Sequence, residues 1–247
     1  MEIFEKAYNA VQNVISFLTG GTDCICCGMQ TYAVPLCKTC RKKFLEYVPF
    51  NENKRCSVCG KELVSENGVC TECAKSEQKR LLDGLFPVHM YRLWKKDLLF
   101  SWKSEGQRSL SHFFAGLASK AIEELKAGKS VKFDAIVPVP PRPGKIRSKG
   151  WDQVDELCRI LEKRYSYPVK RLLVRLSSVE QKSLNKNERK GGKGAKYSLK
   201  KGVNAGGMSF LIIDDVVTTG STLEKCAGLL KKAGAGEVYG LSLFMVD

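Results

Sequence analysis

The apolar positions change their period along the chain. Over residues 1–20, Ile3, Ala7, Val11, Val14, Ile15 and Leu18 fall on one helical face and Gly20-Gly21 closes the pattern, which predicts an amphipathic helix. Residues 76–84 are a charged linker. From Leu85 onward short apolar runs alternate with helical stripes. Leu85–Tyr91, Asp134–Val139, Val169–Leu176, Met208–Ile213 and Val238–Val246 predict strands. Gln107–Leu125, Trp151–Arg164 and Ser221–Ala233 predict helices, the first with Leu110, Phe113, Phe114, Leu117, Ala121 and Leu125 on one stripe. Strands alternating with helices imply an α/β domain over 85–247, a mostly parallel sheet with helices on both faces. Ser177–Lys201 has no apolar period, several glycines and many lysines, and is expected to be a long mobile loop of the kind that serves as an active-site lid.

Cysteine sets residues 22–75 apart. Of 11 cysteines, 9 lie between Cys24 and Cys73. They supply four Cys-x-x-Cys pairs: Cys24/Cys27, Cys37/Cys40, Cys56/Cys59 and Cys70/Cys73. Each pair presents two thiolates on one tight turn, and four thiolates satisfy tetrahedral zinc. Eight ligands make two closed, structural sites in a small module with too little core of its own. The spacing fits both sequential pairing and an interleaved one. Cys26 is a spare thiol. Cys158 and Cys226 fall inside helical patterns and read as core residues.

Net charge is +15, and residues 142–201 hold 18 Lys and Arg against 6 Asp and Glu, a surplus of 12. A surplus gathered in one segment points to a polyanionic partner, nucleic acid or a phosphorylated ligand, or else to a solvated loop. No apolar run approaches the ~20 residues of a membrane span. Met1–Lys6 has acids where a signal peptide carries a basic region, so a cytoplasmic protein is expected. A peripheral contact of residues 1–20 with the inner face of the membrane is the second reading of that helix.

The most informative stretch is Phe210 to Thr222. Four apolar residues are followed by Asp214 and Asp215, then by Val216, Val217, Thr218, Thr219, Gly220, Ser221 and Thr222, leading into a helix. Ligands bind at the carboxyl ends of strands in open α/β sheets. Backbone amides of Thr218–Thr222 can converge on a phosphate at a helix N-terminus. Adjacent carboxylates suit vicinal hydroxyls. The loop is therefore built for a sugar phosphate. The bland alternative is an acidic turn that caps the next helix. His89 and His112 have no nucleophile partner in the pattern, and no Walker loop or dinucleotide fingerprint is present. Trp94, Trp102 and Trp151 lie near lysines, so they read either as stacking platforms for unpaired bases or as core residues.

The Asp214–Thr222 run closely resembles the signature with which type I phosphoribosyltransferases bind 5-phosphoribosyl-1-diphosphate (PRPP). With the four cysteine pairs, the segment Asp134–Pro141 (Asp-Ala-Ile-Val-Pro-Val-Pro-Pro) and the turn Lys149-Gly150-Trp151-Asp152-Gln153, nearly the whole chain resembles the ComF family of bacterial competence proteins (the ComFC type, similar also to GntX-like proteins). That family has Arg-Gly-Phe-Asn-Gln at the latter turn. The resemblance implies a phosphoribosyltransferase-like parallel sheet, preceded by an N-terminal helix (1–21) and a double zinc ribbon (22–75). It implies a PRPP site with magnesium, and diphosphate held near Val139, Pro140, Pro141, Arg142 and Lys103. Lys145, Arg147, Lys149, Arg175, Lys182 and Arg189 become lid or DNA-contacting residues. The partners it implies are single-stranded DNA and a competence helicase. Two other functions stay open: a zinc-ribbon nucleic-acid adaptor with an inactive transferase fold, and an active transferase on an unidentified acceptor.

Overall fold

The computed structural model describes residues 14, 20–32, 34–46, 50, 54–76, 80–92, 94–176 and 197–246. The expected helix over 1–20 therefore lies almost wholly outside the described residues. So do most of the basic segment 177–201 and, with it, Lys182 and Arg189.

Four apolar segments form one parallel sheet. They are β3 (Gly84–Met90), β4 (Ala135–Pro138), β7 (Phe210–Val217) and β8 (Val238–Met245), in the spatial order β3-β8-β7-β4. The central strand β7 opens with Phe210, Leu211, Ile212 and Ile213, all fully covered, as a strand buried on both faces requires. On one face lie α3 (Trp94–Lys103), α4 (Leu110–Gly128) and α6 (Gln153–Tyr165). Their Leu98, Phe113, Phe114 and Leu157 pack with Leu211, Ile213 and Leu241. On the other face α7 (Ser221–Lys232) brings Leu223, Cys226 and Leu230 against Phe210, Ile212 and Val238. Helices thus cover both faces, and Cys158 and Cys226 are core residues.

Three boundaries differ from expectation, each for a local reason. First, β7 does not stop at Ile213; it continues beside Ser242–Met245 through the acid pair to Val217. Second, the strand expected over Val169–Leu176 leaves the sheet early. Val169 makes a single parallel bridge to Ile136. The Arg171 guanidinium is then drawn to Asp155 at 2.6 Å. The chain turns off to form β5 (Leu173–Arg175), paired antiparallel with β6 (Tyr197–Leu199), so the end of the expected loop is a strand. Third, residues 80–83 are not a free linker. The Leu81 and Leu82 amides donate to Glu224 Oε2 at 2.8 and 3.4 Å, the Asp83 amide donates to the Val238 carbonyl, and Leu82 is buried. Helix α3 was hidden from the pattern by its lysines, yet it buries Leu98, Leu99 and Trp102.

The cysteine module straddles β3, which is an edge strand. It contains the short hairpin β1 (Thr22–Asp23) and β2 (Gln30–Thr31), then α1 (Lys38–Glu46) and the single turn α2 (Thr71–Ala74). Phe44 of α1 stacks 4.2 Å from the buried His89 ring and 5.2 Å from Phe113. Burial lowers the His89 pKa to about 3, aided by the charges of Lys95 and Arg55, so this ring is a neutral core group. The other half of the module docks through Arg55, which donates to the carbonyls of Gly60, Pro87 and Val88 at 3.0, 2.6 and 3.3 Å. Gly60 has φ +73°, and a Cβ there would stand 2.4 Å from Pro87 Cδ, so only glycine fits against the strand.

Candidate sugar-phosphate site and metal centres

Asp214 and Asp215 sit in the last half of β7, so their side chains leave the strand on opposite sides. Their environments differ accordingly. Asp215 is buried, 5% exposed, and its Oδ2 receives Lys103 Nζ at 2.8 Å and Gln153 Nε2 at 2.6 Å. Burial opposes ionisation, but the Lys103 ammonium and the Gln153 amide outweigh it, and the carboxyl is held below the usual range. Asp214 is half-buried, and its Oδ1 accepts the Asp215 amide at 2.8 Å. Burial and the neighbouring Asp215 charge push its pKa well above the usual carboxylate value. The two acids are therefore divided: Asp215 is anchored by Lys103 and Gln153, whereas burial and the Asp215 charge push Asp214 toward its neutral form.

The loop beyond them ends in a tight approach. Gly220, at φ +75°, precedes the first residue of α7, while Thr218, Thr219 and Ser221 are exposed. Thr222 shares a hydrogen bond with the buried Tyr197, which ties the β5–β6 ribbon to the loop. The Arg80 guanidinium lies beside Gly220; it pairs with Glu224 of α7 at 3.6 Å and donates to Cys73 Sγ at 3.3 Å. Arg80 had no signal in the sequence, because nothing in a charged segment distinguishes a bridging arginine from a solvated one.

Behind the acid pair a chain of polar contacts links three helices. From Asp215 it passes to Gln153, then to Lys145 Nζ, which also meets Asp152 Oδ2 at 2.7 Å. Asp152 Oδ1 caps α6 by accepting from the Val154 and Asp155 amides, each at 3.0 Å. Asp152 thus both caps the helix and pairs with Lys145. Gln153 was visible only as part of a motif, and its bond to Asp215, 62 residues away, was not.

The expected cations separate into two groups. Lys103 and Lys145 face Asp215 and Asp152. Arg142, Arg147 and Arg175 instead line a cavity beyond the turn after β4, together with Pro140 and Pro141. Val139 is buried at that turn and its amide donates to the Ile213 carbonyl, so it is not a free donor. Lys149 ends the short helix α5 (Lys145–Lys149), exposed. Trp102 is core, its Nε1 donating to Ser111 Oγ at 2.9 Å. Trp151 is half-buried with Arg108 over its ring at 5.6 Å. The side chain of Trp94 lies outside the described residues.

Cysteine pairing is sequential. Cys24, Cys27, Cys37 and Cys40 form one group and Cys56, Cys59, Cys70 and Cys73 the other, with all sulfurs of a group within 4.8 Å of one another. Four sulfurs bound at ~2.3 Å to a tetrahedral zinc ion stand about 3.8 Å apart. Cys27 and Cys37, and Cys59 and Cys70, approach to 3.7 Å, so both groups fit zinc. Backbone amides support thiolate character: Cys37 N donates to Cys24 Sγ and Cys70 N to Cys56 Sγ, each at 3.3 Å. Burial works against ionisation at Cys24 and Cys56, but the amides of Cys37, Cys26 and Cys27 at the first, and of Cys70, Cys59 and Val58 at the second, together outweigh it and bring the thiols to about 6 and about 7.

A parallel sheet with an acid pair and a phosphate-type turn at the carboxyl end of its central strand defines a phosphoribosyltransferase-like protein. Accordingly, residues 114–240 match the family model described as "Phosphoribosyl transferase domain". Among curated proteins, the chain is 31% identical to competence protein ComFC of Streptococcus pneumoniae, covering 76% of this chain and 86% of that protein. It is 28% identical to competence protein F of Haemophilus influenzae, covering 84% and 90%. A solved glutamine PRPP amidotransferase from B. subtilis superposes with a TM-score of 0.34 at 22% identity, over 46% of this chain and about a quarter (23%) of that one. The chain belongs to the ComF family of competence proteins, on a phosphoribosyltransferase fold. Among the described residues no helix is long and apolar enough to cross a membrane.

Proposed function

We propose that the chain binds PRPP at the Asp214–Thr222 loop and acts in natural competence, in the handling of single-stranded DNA. The observation that carries the ligand reading is the division of the acid pair. A ribose diol needs both acceptors and donors, and Asp214 is the loop carboxyl left available once Asp215 is tied to Lys103 and Gln153. The amides of Thr218–Thr222, at the start of α7, would receive the 5′-phosphate. Gly220 permits the backbone to approach it.

The diphosphate would lie toward the turn after β4, where Arg142 supplies charge. Magnesium, bound through the ligand's own phosphates, would neutralise that charge and ease its departure. No caged metal site is required of the chain, which fits an Asp215 already engaged by Lys103 and Gln153. The DNA role rests on the family and on the positive surplus of residues 142–201. In the same reading, a competence helicase and the inner face of the membrane are the partners to look for.

Calorimetric titration of PRPP with magnesium tests the ligand reading. Wild type should give saturable heat, and Asp214→Ala/Asp215→Ala none. Equal heats from both proteins, or none from either, would sink it. Release of diphosphate on adding candidate bases would place the protein among active transferases.

A further inference from the structure

Ser242 of β8 is completely covered, with Leu241, Leu243 and Phe244 as its neighbours along the strand. Its Oγ finds no hydrogen-bond partner among the described residues. A buried hydroxyl left unpaired opposes folding, and alanine would fill the same place without that loss. Such a group calls for a partner in another state of the protein.

The sheet register names the partner. Ser242 lies between Asp214 of β7 and Pro87 of β3, each its in-register neighbour. Neighbouring strands stand about 4.8 Å apart, and side chains at paired positions leave the sheet on the same side. Here that side is the one covered by α7. A Cβ on Gly240, two residues before Ser242, would meet Leu223, and Phe210 and Ile212, which precede Asp214, pack with Cys226 and Leu230. Pro87 offers no polar side-chain atom. Asp214 is the polar neighbour of the idle hydroxyl.

The other groups that face Asp214 have duties of their own. They are Asp215 on the same strand, Lys103 of α3, Cys226 of α7 and Tyr197 of β6. Lys103 is bonded to Asp215 at 2.8 Å, and Tyr197 shares a hydrogen bond with Thr222. Burial pushes the Cys226 thiol up to about 12, so it is a neutral, weak donor.

We propose that Ser242 is a positioning residue for Asp214: its hydroxyl turns to donate to the carboxylate and holds it toward the sugar hydroxyls when the site is occupied. The turn is one bond rotation and needs no movement of the sheet. Burial and the Asp215 charge oppose the ionised form of Asp214, and a hydrogen bond given to that form favours it. The pairing stands on register and burial; its bearing on the sugar rests on the PRPP reading.

A double-mutant cycle tests it. Ser242→Ala, Asp214→Asn and the double variant are melted at neutral and at mildly alkaline pH, where thiolate ligands keep their zinc. The raised pKa of Asp214 means that its stabilising contribution is lost as pH rises, and a donor to the carboxylate offsets that loss. In the wild-type background Ser242→Ala should therefore lower the melting temperature by a few degrees more at the higher pH. In the Asp214→Asn background its effect should be the same at both. A serine that serves packing alone would give one shift throughout, and that result overturns the pairing. So does a pH-dependent shift that survives in the Asp214→Asn background. Titration with PRPP and magnesium is the second readout: Ser242→Ala should weaken binding about tenfold. Unchanged affinity overturns the positioning role. Absence of binding by wild type as well would sink the PRPP reading instead, and the melts would decide the pairing without it.

Discussion

Lys103 Nζ stands 2.8 Å from Asp215 Oδ2, and this contact ties helix α3 to the central strand at the point where the Asp214–Thr222 loop begins. Removing the cation leaves a buried carboxylate with only Gln153. A buried pair broken on one side costs about 3–5 kcal/mol. Lys103 is 44% exposed and solvent screens its half of the pair, so Lys103→Met should destabilise by about 1–2 kcal/mol at neutral pH. Asp215 has a lowered pKa in the folded state, so its stabilising contribution is present above the ordinary carboxylate pKa and is lost as pH falls through the folded value. The gap between wild type and Lys103→Met in urea denaturation should therefore narrow on acidification, and Lys103→Arg should restore part of it.

Asp214 predicts the opposite sign. Its folded pKa is raised, so the group's contribution is full below the ordinary carboxylate pKa and is lost as pH rises toward the folded value. At neutral pH the free protein carries that loss. Asp214→Asn should raise the melting temperature at neutral pH by a few degrees, and the rise should vanish in acid. The same substitution should abolish PRPP binding. A residue that destabilises the free protein while serving the ligand is a common feature of binding sites.

Both four-cysteine groups should carry zinc. Mass spectrometry under native conditions should find two ions per chain, and Cys24→Ser or Cys59→Ser one. The second group also reaches the Asp214–Thr222 loop, because Cys73 Sγ accepts from Arg80, which pairs with Glu224 and lies beside Gly220. Cys59→Ser and Arg80→Ala should therefore each weaken PRPP binding several-fold. Cys24→Ser, remote from Arg80, should have the smaller effect. Equal losses from both cysteine variants would mean that this link is not transmitted.

Gly220 tests the backbone of the loop. Its φ of +75° places an L residue in the left-handed region, at a cost of about 1–2 kcal/mol. A Cβ there would meet Leu85 at 3.7 Å, an ordinary contact, so strain rather than collision sets the penalty. Gly220→Ala should lower the melting temperature and weaken PRPP binding.

The sequence showed the elements that obey a period or a spacing. The strand at Phe210–Ile213, the stripe Leu110–Leu125 and the cysteine pairs are local patterns, and each is where it was expected. What escaped was set by partners far along the chain. The Asp214–Asp215 pair read as two equal acids because inequality comes from Lys103 and Gln153, more than sixty residues away. Helix α3 escaped because its lysines lie among its buried leucines. The strand after Val169 was cut short by a contact between Arg171 and Asp155 that no window of sequence contains. The acid loop was legible as a turn from strand to helix, but the separation of the expected cations into two groups was a product of folding.

The seat of Arg55 and Gly60 on β3 has a bearing on how this protein must be handled. An outer strand with open carbonyls is a template for another chain. Here Pro87 removes one donor, and Arg55 occupies the carbonyls of Pro87 and Val88. That cover is held in place by the loop between Cys56 and Cys59. Chelators should thus do more than unfold a small module: they should bare a sheet margin and start self-association that grows with protein concentration. Light scattering in the presence of a zinc chelator would reveal it, and buffers free of such agents would keep the protein monodisperse.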